Sequence, residues 1–114
     1  MEQTKTNVTI KNHDGRMVAF VSGEIDHHSA RDIRRAIDDE YLSSGATVLA
    51  LDMSRVRFMD SSGLGLILGR FTKVSALGGK FCVLDPSESV KKVLDIAGAG
   101  RLIDIKYGKS KPAS

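Results

Sequence analysis

Residues 46–51 read Ala46-Thr47-Val48-Leu49-Ala50-Leu51. A strand with one wet face alternates apolar and polar residues, and this run hardly does. It predicts a strand covered on both faces at the centre of a mainly parallel sheet. Upstream, Ala30, Ile33, Ile37 and Tyr41 fall at helical spacing, with Arg31, Arg34, Arg35, Asp38 and Asp39 off the stripe. Ser29 followed by Asp32 resembles a capping box, and Gly45 supplies a stop. Further upstream, Val8 to Lys11 alternates, Asn12-His13-Asp14-Gly15 has turn chemistry and Met17 to Val21 suits a strand, so two strands joined by a short turn are expected.

Downstream, Asp52 to Arg57 reads as a polar link. Leu64, Ile67, Leu68, Phe71 and Val74 form a second helical stripe closed by Gly78-Gly79, and Lys80 to Leu84 is the next strand. Asp85-Pro86-Ser87-Glu88 reads as a helix start with Asp as the cap, Pro at the first position and Glu at the third. The stripe Val90, Val93, Leu94, Ala97 follows as far as Gly98, and Leu102 to Ile105 is a last short strand. Two strands followed by three alternations of helix and strand predict an α/β fold. It is a single domain over residues 1–106, with a mixed, mostly parallel sheet of about five strands and three to four helices. Residues 107–114 read as a flexible basic C-terminal tail.

The 114 residues are 41% hydrophobic and 27% charged, the usual size and composition of one globular domain. No basic leader precedes an apolar segment at the N-terminus, and no apolar run approaches the ~20 residues that span a bilayer, so a cytoplasmic protein is expected, with no membrane role. The net charge of +3 owes its sign to Lys106, Lys109 and Lys111 near the C-terminus; without these three of the 17 bases the remaining 14 equal the 14 acids. A basic face for nucleic acid is therefore not expected. The single cysteine, Cys82, lies inside the apolar run Phe81-Cys82-Val83-Leu84, which excludes an intramolecular disulfide and favours a buried, inert thiol.

The chemistry-bearing segment is Met59-Asp60-Ser61-Ser62-Gly63-Leu64-Gly65. Asp60 follows the central strand and precedes a helical pattern, so its carboxylate is placed to cap a helix that begins at Ser61. Met59 and Leu64 have the spacing of a hydrophobic staple in that register. The first turn of a helix carries unpaired N–H groups and about half a positive charge, so a phosphate on Ser61 would be tolerated while adding about −1.5 to −2 charge. A plain cap does not need Gly63, Gly65 and Gly69, each about 1 kcal/mol worse than Ala inside a helix. Gly65, Gly69, Thr72 and Ala76 line one flank of that helix, where either this chain's own sheet or a partner approaches closely. Leu66 and Leu77 project away from Leu64, and Leu66, one turn from Ser61, is a candidate docking residue. A second polar cluster, Gly23-Glu24-Ile25-Asp26-His27-His28, lies between the second strand and the first helix. In a parallel sheet this loop shares an edge with Asp60, so Asp26 is expected near Ser61; the plainer alternative is a Gly23 turn with two histidines ahead of a helix cap.

No catalytic or metal-ligating set emerges, and no cofactor is expected. Ser61, His27 or His28, and Asp26 compose a hydrolase set only without the nucleophile elbow Gly-x-Ser-x-Gly. Adjacent histidines point apart and make a poor metal pair. Gly63-x-Gly65 with Gly69 misses the dinucleotide spacing by one residue, and there is no P-loop. The chain has no visible means of phosphorylating itself.

The segment Phe58-Met59-Asp60-Ser61-Ser62-Gly63-Leu64-Gly65-Leu66-Ile67-Leu68-Gly69-Arg70, together with Gly23-Glu24-Ile25-Asp26-His27-His28, resembles the bacterial anti-sigma factor antagonists, single STAS domains of the sporulation type. The likeness runs over about residues 7 to 106. It implies a non-enzymatic partner switch. The unphosphorylated protein binds an anti-sigma factor that is also a serine kinase, which frees the sigma factor; the kinase phosphorylates the serine that maps to Ser61, and a serine phosphatase reverses it. Asp26 maps to an acidic residue beside that serine. The implied partner-binding set is Asp26, His27, His28, Asp60, Ser61, Ser62, Gly63, Leu64, Gly65 and Leu66. Two other roles stay open: a constitutive STAS scaffold in a larger assembly, and a nucleotide-sensing STAS domain.

Overall fold

The computed structural model describes residues 2–4 and 7–108. The Asp14-Gly15 pair, with φ of 50° and 78°, makes the two-residue turn that joins β2 (Val8–His13) to β3 (Arg16–Ile25), with His13 opposite Arg16. Three crossovers follow: α1 (His27–Ser44) leads to β4 (Val48–Met59), α2 (Ser61–Ala76) to β5 (Lys80–Leu84), and α3 (Glu88–Ala97) with a short 3-10 turn (Ala99–Arg101) to β6 (Asp104–Lys106). The sheet order is β1 to β6 in sequence, antiparallel from β1 to β3 and parallel from β3 to β6. The α/β class and the mixed sheet are as read from the sequence. The sixth strand, β1 (Glu2–Thr4) beside Thr9–Lys11, was not read there, because three polar residues carry no period. Of the expected tail, Tyr107 and Gly108 are described and the rest lies outside the described residues.

Parallel strands taken in order by right-handed crossovers place every intervening helix on one face. The buried residues of all three helices, including Ile33, Ile37, Ile67, Val90 and Leu94, accordingly form one core with Ile10, Met17, Ala19, Leu49, Leu51 and Val83. Ala50 and Cys82 are buried but stand outside that cluster, on the opposite face with half-buried Val18 and Phe20. The central strand is therefore covered by helices on one face, not both. Its unbroken apolar run reflects small and apolar neighbours shielding one another on the other face. Cys82 is a free thiol whose pKa burial pushes up, in keeping with an inert group.

β4 is twice as long as the run that announced it, and the expected polar link Asp52 to Arg57 is its second half. The cause is two bulges against β3. Phe20 pairs with Asp52 and Ser22 with Arg55; Gly23 pairs with Val56 and Glu24 with Phe58. At each step β4 supplies one residue too many, so the buried positions on the helix-covered face run Leu49, Leu51, Met53, then Val56, then Met59. Two three-residue steps erase the alternation by which a strand is recognised.

Helix starts also moved. α1 is capped by Asp26, not Ser29: Ser29 N donates to Asp26 Oδ1 at 2.9 Å and Asp26 N donates to Ser29 Oγ at 2.9 Å, so Ser29 is the third helical residue of the box. α3 is capped by Ser87, whose Oγ accepts from Val90 N at 3.4 Å, while Asp85 is buried, with φ of 46°. In both places a second acceptor, three positions away at Asp26/Ser29 and two at Asp85/Ser87, offers another register, and packing decides. The α1 stripe Ala30, Ile33, Ile37, Tyr41 is buried as read, with Gly45 in the left-handed conformation that ends the helix.

One-sided coverage has a measurable consequence. Leu51→Ala, on the helix-covered face, is expected to lower stability by about 2–5 kcal/mol, whereas Val18→Thr, on the uncovered face, costs less than about 1 kcal/mol; urea denaturation of both variants checks the contrast.

Candidate functional site

β3 and β4 stay paired to their last residues, Ile25 and Met59, and Asp60 N donates to Ile25 O at 3.3 Å. The next residues are the two caps. Asp26 and Asp60 thus stand side by side at the carboxyl edge of the sheet, as the sequence reading expected, and α1 and α2 start together from that edge. Ile25 and Gly23 themselves belong to β3, and His27 and His28 form the first turn of α1 instead of preceding a cap. Gly23 has φ +85°, and a Cβ there would meet Asn7 Nδ2 at 2.9 Å, which explains glycine at the second bulge.

Asp60 Oδ1 accepts from Ser62 N at 2.8 Å and fixes the start of α2. Ser61 follows the cap, is exposed, and its hydroxyl has no hydrogen bond among the described residues. Ser62 is half-buried. Asp26, His27 and His28 are exposed; the two imidazoles face each other edge-on with ring centroids 5.9 Å apart. The Asp26 carboxyl is held below the usual range, first by the Ser29 backbone N–H and then by the Ser29 hydroxyl, so it is ionised at neutral pH. No group of three or more metal-ligand side chains occurs among the described residues.

The glycines divide by function. A Cβ on Gly63 would overlap the Met59 side chain, so Gly63 is required for α2 to sit on the end of β4. At Gly65 and Gly69 a Cβ would meet nothing within 4 Å. The small-residue flank therefore faces open space, not this chain's own sheet.

Leu66 is a correction. It is 4% exposed and belongs to the core, whereas Leu64, Leu68 and Phe71 are only half-buried. Four apolar residues, Leu64, Leu66, Ile67 and Leu68, cover more than one face of the helix, so the period left its rotation undetermined. Contact with α1 and with β4 and β5 of the sheet selects the face Gly63, Leu66, Ile67, Arg70, Val74. Leu77 is exposed, as read.

Two features escaped the sequence reading. Phe58 is 56% exposed two residues before the cap, turned outward by the second bulge. A groove between α1 and α2 is lined by His27, Arg31, Arg34, Ser62, Gly65 and Gly69, with Leu66 and Arg70 at its base. The recurrence of His27, Arg31 and Arg34 at helical spacing was the available signal for it.

Residues 7–110 match the STAS domain family. The anti-sigma F factor antagonist of Paenibacillus polymyxa is 33% identical over 98 residues, 86% of this chain and 84% of that protein. Among solved structures, the anti-sigma factor antagonist SpoIIAA in its unphosphorylated form superposes with a TM-score of 0.78 at 31% identity, covering 90% of this chain and 89% of its own. The phosphorylated form of the Bacillus cell fate determinant SpoIIAA gives 0.73 at 30% identity, covering 90% and 92%.

The glycine contrast predicts opposite signs. Gly65→Ala and Gly69→Ala should each raise stability by about 0.5–1 kcal/mol, and Gly63→Ala should lower it through overpacking by about 1–3 kcal/mol, in thermal melts of the three variants. Leu66→Ala should cost about 2–5 kcal/mol in the same assay.

Proposed function

The chain belongs to the STAS domain family, and we propose that it acts as an anti-sigma factor antagonist whose grip on its partner is set by phosphorylation of Ser61. The relatives' names supply the class: an antagonist acts on an anti-sigma factor, and the SpoIIAA neighbour exists in unphosphorylated and phosphorylated forms. The observation that carries the reading is the exposed Ser61 hydroxyl at the first position of α2, without a hydrogen-bond partner among the described residues and adjoining two capped helix starts. A kinase reaches this oxygen without unfolding anything.

In the unphosphorylated state the surface around Ser61 offers exposed Phe58, half-buried Leu64 and the open flank at Gly65 to a protein. This surface docks on an anti-sigma factor with serine kinase activity, and the sigma factor is released. Asp26, His27, His28, Asp60, Ser62 and Gly63 frame the contact; Leu66 supports it from beneath. A phosphate on Ser61 adds about −1.5 to −2 charge beside Asp26, which stays ionised, and beside Asp60. Docking must then desolvate or oppose that charge. A loss of ~3 kcal/mol weakens binding more than a hundredfold. A serine phosphatase restores the docking state. The chain itself is a regulator and not an enzyme in this cycle, it acts in the cytoplasm, and its effect on transcription needs no direct nucleic-acid contact. No helix of the described residues is long and apolar enough to cross a membrane.

Ser61→Ala should keep full affinity for the kinase partner and Ser61→Asp should lose it with an unchanged melting temperature, measured by calorimetry. Incubation with that kinase and ATP should add one phosphate, mapped by mass spectrometry to Ser61 and not Ser62. Equal affinities of the two variants would instead support a constitutive scaffold.

A further inference from the structure

We propose that the groove between α1 and α2 is the seat of an acidic segment of the protein partner, with Arg31 and Arg34 receiving its carboxylates. This rests on the reading that a protein docks around Ser61, and it adds the chemistry of the segment that docks.

The groove has a volume of about 400 Å³. Its α1 wall carries exposed Arg31 and Arg34, neither of which has an ion pair or side-chain hydrogen bond among the described residues. Arg70 lies at its base, only 6% exposed. Arg70 Nε is 2.9 Å from Asp38 Oδ1, but without hydrogen-bond alignment, and Nη1 has no hydrogen-bond partner among the described residues. Asp38 is shared with Lys73, 3.7 Å away. Burial depresses the Arg70 pKa and the neighbouring Arg34 charge depresses it further, while Asp38 opposes both. Asp38 thus serves both Arg70 and Lys73, and leaves Arg31 and Arg34 without an ion pair among the described residues. The buried Arg70 charge adds to that of Arg31 and Arg34, and a carboxylate seated in the groove complements all three while the Asp38 pair stays in place.

The opposite wall is shaped to admit chain. Gly65 and Gly69 leave two bare positions along the α2 wall, and no described residue comes within 4 Å of where a Cβ would stand. Buried Ala30 and Leu66 provide an apolar strip between the arginines and the glycines. Basic side chains, an apolar strip and a bare helix flank together fit an amphipathic acidic segment lying along the groove.

A lone phosphate or nucleotide fits less well. One first-turn N–H of each helix is already taken, Ser29 N by Asp26 and Ser62 N by Asp60, and those two cap carboxylates oppose an anion at that edge. Arg34 is seven residues beyond His27, about 10 Å along the helix, so the cationic region lies well inside from the Ser61 edge. One segment can therefore meet the arginines at one end and be repelled by a Ser61 phosphate at the other.

The test uses the full chain and its purified anti-sigma kinase partner. Arg31→Glu/Arg34→Glu should weaken the complex at least tenfold by calorimetry. Its melting temperature should not fall, because Arg34→Glu replaces the like charge beside Arg70 with a carboxylate. Arg31→Lys/Arg34→Lys should retain most of the affinity. A hexaglutamate peptide should shift the Gly65 and Gly69 amide resonances of the wild-type chain and not those of the Glu variant, whereas inorganic phosphate and ATP should leave them in place. Unchanged partner affinity in the Glu variant, absence of peptide shifts, or equal shifts with phosphate or ATP each overturns the acidic-segment groove. A loss with Ser61→Asp and none with the Glu variant removes the groove and keeps the switch. A loss with the Glu variant and none with Ser61→Asp removes the switch and keeps the groove.

Discussion

The parallel pairing of β3 with β4 is the constraint on which the rest of the molecule depends. It runs from Arg16 opposite Val48 to Ile25 opposite Met59 and continues into the bond from Asp60 N to Ile25 O. Because the two strands end level, the helices that follow begin level, and their caps, Asp26 and Asp60, adjoin. The two bulges make this possible, since β4 contributes two more residues than β3 over the same span. Without them the end of β4 would expose a different set of side chains, and neither Phe58 nor Ser61 would stand at the same edge as α1.

Strand and helix identity, the turn at Asp14-Gly15 and the α1 core stripe were legible in the sequence because each depends on local pattern. The extent of β4 was not, since Met53, Val56 and Met59 fall at a spacing that belongs to no strand. The rotation of α2 was not, because its apolar residues outnumber what one face needs, and packing against α1 and the sheet decides that Leu66 and Arg70 turn inward. The α1 and α3 caps each offered two acceptors, and the sequence carries no preference between them. Coverage of the sheet on one face alone was hidden too: Ala50 and Cys82 look like core residues and are buried, yet belong to the other face.

For the site itself, the Asp60 cap with Ser61 after it was legible because capping is local chemistry, and the place of Asp26 at the same edge because strand order fixes which loops adjoin. The arginine groove was not. Arg31 and Arg34 read as an ordinary solvated face until Arg70 is seen buried behind them, and a buried arginine has no signature of its own in sequence. Nor could the sequence tell that Gly63 serves packing while Gly65 and Gly69 face nothing, although all three stand within two turns of one helix.

Two helices starting level also means two partial positive ends pointing the same way, about half a unit of charge each. Each is met in part by its own aspartate, through Ser29 N and Ser62 N. In the cycle proposed for Ser61, a phosphate on that exposed residue would carry its charge outward into solvent, where a phosphatase would meet it without any movement of the fold.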